Sequence, residues 1–136
     1  MKAAIIWTGA KAAFIYGVFD GPGHMRPALQ ALKEAGMEFV VFLSSFLILT
    51  DIHAVPPTDI VPWEHAQVEI ALEEVFEGDS YVTVRPAYFV SNILQQKPGI
   101  LNGEVRLPNL EAEFDFISSD DIGRVVGTIL VNNQKN

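Results

Sequence analysis

Three features of the sequence predict an α/β domain built on a parallel sheet. Residues 12–18 and 39–43 are continuous apolar runs, the pattern of strands covered on both faces. Residues 81–85 form a third run, rich in β-branched and aromatic side chains. The stretches between these runs carry apolar residues at helical spacing and are long enough to cross over, so the order is strand, helix, strand, helix, strand. Two right-handed βαβ units in series follow from that order.

Each element has its own signals. Residues 3–7 admit a short strand bounded by Gly9 and Lys11. After the run at 12–18, Asp20, Gly21, Pro22 and Gly23 force a turn. A helix is predicted over residues 24–35, with Pro27 in its first turn, Gly36 as its stop, and Met25, Ala28, Leu29 and Leu32 on one apolar face. The strand predicted over residues 38–45 ends on two hydroxyls, Ser44 and Ser45. Residues 50–62, with Pro56, Pro57 and Pro62, read as a loop over the mouth of the sheet.

A second helix over residues 62–76 puts Val68, Leu72, Val75 and Phe76 on one face. Glu64, Glu69, Glu73, Glu74 and Glu77 are expected on a solvated opposite side. Pro86 cannot donate to a ladder and ends the third strand. Residues 95–103 read as loop, and residues 104–107 and 113–117 as short strands. Ser118 and Asp121 have the spacing of a capping box, opening a last helix with Ile122, Val125, Val126, Ile129 and Leu130 turned to the core. Residues 132–136 are expected to fray.

The 136 residues suit one domain, residues 1–136. Hydrophobic residues at 49% against 19% charged allow a sizeable core and argue against disorder. Seventeen acids against nine bases leave a net charge of -8, a field that repels phosphodiester backbones, so no nucleic-acid partner is expected. The absence of cysteine removes disulfides and thiolate chemistry. No apolar run reaches bilayer length or makes a secretory signal. A soluble, cytoplasmic protein without membrane contact is the expectation.

Ligands of open α/β sheets bind outside the carboxyl ends of the strands. That rule gathers Ser44 and Ser45 after the second strand and Pro86, Ala87, Tyr88, Phe89 and Asn92 after the third. The serines either orient a substrate carbonyl or satisfy the backbone where the strand stops. Tyr88 and Phe89 either pack on a ligand ring or close the core. His65 is a candidate general acid or base, or a solvated helix-start residue. Gly21, Pro22 and Gly23 read as a βα turn and not a phosphate cradle, because the third glycine of such a motif would stand at Arg26. His24 and His53 lie apart from any carboxylate at ligand spacing, so no metal site is expected. Arg85 is assigned to a structural ion pair.

The order of these motifs resembles the NmrA-like proteins, within the atypical short-chain dehydrogenase/reductase superfamily, over residues 14–131. The match rests on residues 42–45, on residues 63–69 from Trp63 to Glu69, on residues 84–89 followed by Asn92, and on residues 116–122. The resemblance implies a Rossmann-type sheet that binds NAD(P), flanked by Phe19, Asp20, Ser44, Pro86, Ala87, Tyr88 and Phe89. It places Trp63 and Asn92 on the substrate side and makes Ser45 and His65 the candidate catalytic groups.

Family members open with a strand, a Gly-rich phosphate turn and a helix. Nothing before Phe14 supplies that unit, so the resemblance implies an N-terminally truncated domain with NAD(P) binding weakened or lost. It also implies an uncovered sheet edge at Phe14, Ile15 and Tyr16, open to self-association. Many catalytic relatives carry a lysine where His65 stands, and no lysine lies between Lys33 and Lys97. Three readings follow. The complete protein is an oxidoreductase reducing a small organic substrate with NAD(P)H, or it is a non-catalytic dinucleotide sensor that binds a protein partner. The third is an inactive partial gene product.

Overall fold

Strand β2 (Phe39–Leu43) holds the fold together, because among the described strands it alone has a parallel neighbour on each side. Strand β1 (Ala12–Tyr16) pairs with it from Ala12 opposite Phe39 to Tyr16 opposite Leu43. On the other side β3 (Tyr81–Val84) pairs from Tyr81 opposite Val40 to Val84 opposite Leu43. The computed structural model describes residues 9–19, 23–105, 113 and 115–133. The expected strand at 3–7 lies outside them.

Helices α1 (Arg26–Glu34) and α2 (Ile60–Val75) make the two crossovers. Sequential strand order with one crossover hand places both on the same face. Strand alternation sends Val40 and Phe42 to that face, into a core with Leu29, Leu32, Val68, Ala71, Leu72 and Phe76. Phe39 and Val41 point to the other face and meet Ile122 and Val126 of the last helix, α4 (Ser119–Asn133). The result is a three-stranded, Rossmann-like parallel sheet with helices on both faces.

The predicted elements form close to their expected places, and the departures have local causes. Helix α1 begins two residues late because His24 (φ 43°) and Met25 (φ 62°) are left-handed, following Gly23 (φ 86°). It stops at Gly36, whose φ of 88° suits a residue without Cβ. Helix α2 begins before Pro62, and the loop ahead of it contains a 3₁₀ turn at Ile52–Ala54.

Residues 95–103 are not plain loop. The chain there runs through a 3₁₀ stretch, Val90–Gln96, into a short helix, α3 (Lys97–Leu101), with Pro98 in its first turn. Tyr88–Phe89, expected only as site residues, form strand β4, which pairs in parallel with β5 (Phe116–Ile117). The strand expected over 104–107 lies partly outside the described residues.

Ser118 caps α4 as its spacing predicts, its Oγ accepting the Asp121 N–H at 3.1 Å. The return bond differs from the usual box: Ser118 Oγ donates to the Asp121 carboxylate at 2.7 Å. Val125 points outward instead of into the core, and α4 stays helical through Asn133 where fraying was expected.

Among the described residues β1 pairs with β2 alone and forms the end of the sheet. Phe14 and Tyr16, on the face α4 covers only in part, are 42% and 67% exposed. No helix among the described residues is long and apolar enough to cross a membrane.

Candidate functional site

The β2–β3 ladder continues beyond the strand ends and aligns the two segments read as a site. Ser44 N–H donates to Val84 C=O at 2.8 Å, and Phe46 N–H donates to Pro86 C=O at 3.4 Å. Pro86 lacks a donor but keeps its acceptor, so the ladder runs one rung further and stops. Ser45 then folds the chain back, its Oγ accepting Leu47 N–H at 3.3 Å and its carbonyl accepting Ile48 N–H at 3.3 Å. On the other side Tyr88 N–H donates to Asp115 C=O at 3.1 Å, and the Tyr88 ring meets Phe116 edge-on at 5.8 Å.

A cavity of about 230 Å³ opens between these segments, walled by Ser44, Ser45, Phe46, Leu47, His65, Pro86, Ala87, Tyr88, Phe89 and Asn92. The structure thus brings both serines, His65, residues 86–89 and Asn92 to one place. Of the larger hollows, those of about 440 and 410 Å³ lie at the amino ends of the strands around Phe39 and Asn133. Ligand sites of parallel sheets lie at the opposite end, and the ion pair of Lys11 with Glu38 at 2.5 Å occupies one rim.

His65 sits in the second turn of α2, its Nδ1 2.9 Å from the Val61 carbonyl. A carbonyl only accepts, so Nδ1 carries the hydrogen and Nε2 of the neutral ring keeps a lone pair. Phe19 packs on the ring at a centroid distance of 4.7 Å, with Phe42 behind at 6.3 Å. Phe19 therefore supports His65 from outside the cavity. Asp20 lies outside the described residues.

Trp63 is not in the cavity wall. It packs with Ile48, Ile52, Val55 and Ala66, and meets His24 edge-on at 4.9 Å. His24 Nδ1 is buried there without a hydrogen-bond partner among the described residues. Arg26, the cation closest to the first βα turn, pairs with Glu74. No group of three or more metal-ligating side chains occurs among the described residues.

Behind the cavity lies a feature that corrects the sequence reading. Glu69, expected on the solvated side of α2, is 4% exposed. Its carboxylate accepts from Ser44 Oγ and, bidentately, from Arg85 Nε at 3.0 Å and Nη2 at 2.6 Å. Arg85 Nη1 also donates to Ile48 C=O at 3.4 Å. The bond to Glu69 holds the guanidinium above its ordinary pKa, with partial burial opposing. Arg85 thus makes the ion pair predicted for it.

Two signals in the sequence point to Glu69. Residues 65, 69, 72 and 76 share one helical stripe, and Arg85 is the only lysine or arginine between residues 34 and 96. Phe46 and Leu47 were missed as wall residues because only a fold-back after Ser45 brings them there.

No family model matches the chain. Over 144 residues it is 39% identical to the nitrogen metabolite regulation-like protein bik4 of Gibberella fujikuroi. The chain is similar to a fungal regulation-like protein. The match takes in 97% of this chain and 42% of that relative, so the chain spans about two fifths of the relative's length.

Proposed function

We propose that the chain is an NmrA-like, NAD(P)-responsive regulator whose strand-end cavity takes the nicotinamide end of the dinucleotide and whose output is contact with a protein partner. The observation that carries this reading is the cavity wall. It unites Ser44, Ser45 and residues 86–89 at the carboxyl ends of adjacent parallel strands, and it contains no Lys, Arg, Asp or Glu. An uncharged wall of this kind suits a neutral ring with a polar substituent and does not suit a phosphate.

The described residues fit only that end of the group. The cavity is smaller than the roughly 300 Å³ at which pockets begin to hold drug-sized ligands. Arg26 is occupied by Glu74, so the described turn before α1 offers no free cation to a pyrophosphate. The ring would rest between Tyr88, Phe89 and Pro86, with Ser45 and Asn92 in reach of its polar substituent. When bound, NAD(P)H supplies a hydride donor; bound to a sensor, it supplies only its binding energy.

The regulator reading is supported by the relative's name and by a cavity without lysine. A second reading, reduction of a small organic substrate, is favoured by His65. Its Nε2 lone pair faces no partner among the described residues, and the Ser45 hydroxyl lies in the same wall.

Thermal unfolding with and without NADPH or NADH tests the shared premise. Nucleotide at about 100 times its Kd is expected to stabilise the chain by about 2.7 kcal/mol. A transition unmoved by either nucleotide overturns both readings. If the transition rises, NADPH consumption over a panel of aldehydes and ketones separates the two: none supports the regulator, turnover the reductase.

A further inference from the structure

We propose that Glu69 is a specificity-determining positioning residue, which makes the cavity accept a primary carboxamide and refuse a carboxylate. This rests on the nicotinamide reading of the site and deepens it.

The argument follows the hydrogens. Ser44 has one, and the Glu69 carboxylate takes it. Paired with Arg85, that carboxylate has nothing to donate, so Ser44 Oγ offers the cavity only lone pairs. Ser45 is the reverse case. Its oxygen accepts Leu47 N–H, and its own hydrogen has no partner among the described residues, so it is the donor in the wall. His65 spends its Nδ1 hydrogen on Val61 and presents a bare Nε2. Of these three side chains, one is a fixed donor and two are fixed acceptors. Asn92 presents either end of its amide after a flip, the Tyr88 phenol can donate or accept, and neither discriminates.

A primary carboxamide has one carbonyl to accept and two N–H groups to donate, which is the complement of that wall. A carboxylate in the same place turns lone pairs toward Ser44 and His65, leaving two acceptors unpaired and opposed. Were Ser44 free to rotate its hydrogen outward, the two ligands would be much closer. Glu69 is what prevents that rotation.

The test uses the full chain at pH 8 with nicotinamide and nicotinate as probes, followed by ligand-observed saturation-transfer NMR. NADP and its nicotinic acid counterpart repeat the comparison by thermal shift. The expected preference for the amide is about tenfold or more. Ser44→Ala leaves the Glu69–Arg85 pair in place and is expected to narrow the preference, while Ser45→Ala weakens both ligands together. Glu69→Gln, if it folds, is expected to narrow the preference as Ser44→Ala does, because an amide at 69 can donate to Ser44 and free its hydrogen.

A purely structural role for Glu69 would lower both affinities and leave their ratio alone. Equal binding of nicotinamide and nicotinate, or a preference unchanged in Ser44→Ala, overturns the inference. So does binding of neither ring while NADPH still raises the melting point, a result that leaves the dinucleotide reading standing. If neither ring binds and NADPH has no effect, both fall.

Discussion

Strands β1 and β2 have the same length and a similarly apolar sequence, yet their surroundings differ sharply. β2 is walled by strands on both edges and by helices on both faces, so Phe39, Val40, Val41 and Phe42 are all buried. β1 has a described neighbour on one edge only, and α4 covers its outer face no further than Ala12. Phe14 and Tyr16 consequently meet solvent. A continuous apolar run states what a strand can tolerate on its two faces; whether anything stands there is decided by other segments of chain.

Substitutions sharpen that contrast. Phe42→Ala removes a fully buried ring and is expected to cost about 3–5 kcal/mol by urea unfolding. Phe14→Ala, one rung away on the neighbouring strand, is expected to cost about 1 kcal/mol or less. Equal losses would mean that β1 is covered in solution by something that also stabilises it.

Glu69→Ala strands a guanidinium and a hydroxyl at the carboxyl ends of β2 and β3. Arg85 keeps about a third of its side chain in solvent, so the expected loss, about 2 kcal/mol, lies below that of a fully buried pair. An unchanged urea midpoint would refute the idea that this network holds the strand ends together.

Tyr16→Lys changes stability by less than about 0.5 kcal/mol, while light scattering reports less self-association than in the parent chain. A parent chain that is monodisperse and binds no hydrophobic dye would count against an adhesive β1 edge.

The smallest expected effect lies at Tyr81, at the start of β3. Burial raises its pKa above 10, and the nearby carboxylates of Glu73 and Glu69 raise it further. The folded state thus keeps a proton that the unfolded chain gives up. Stability from this source is full below pH 10 and falls as pH rises through the folded value. Tyr81→Phe removes that alkaline slope, which urea titrations across the alkaline range would register.

The fold was largely legible because its signals are local. Apolar runs, Pro27, Gly36, Pro86 and the Ser118 cap each announce an element without reference to the rest of the chain. Most of the cavity wall was legible for a related reason: the ends of parallel strands are fixed once the strands are found. β4 was not, since a two-residue strand carries no periodicity; β5 lies within the strand expected over residues 113–117, but its pairing with β4 joins residues 28 positions apart. Glu69 was misread by treating the acidic residues of α2 as one group. Its place on the stripe shared with Leu72 and Phe76 marks it as buried, and a buried carboxylate needs a cation. His24 shows where sequence is silent, for no pattern foretells two successive left-handed residues beyond Gly23.

The Ser44–Glu69–Arg85 network has a consequence in time. Its members come from the end of β2, α2 and the end of β3, the bonded partners standing 25 and 16 positions apart in sequence. It needs only the second crossover, from β2 through α2 to β3, to close, and its side-chain bonds are expected to form at the end of that closure, after the folding barrier. Loss of Glu69 should therefore leave refolding nearly as fast as before and shorten the lifetime of the native state. The network acts as a latch, slow to open once the sheet is assembled.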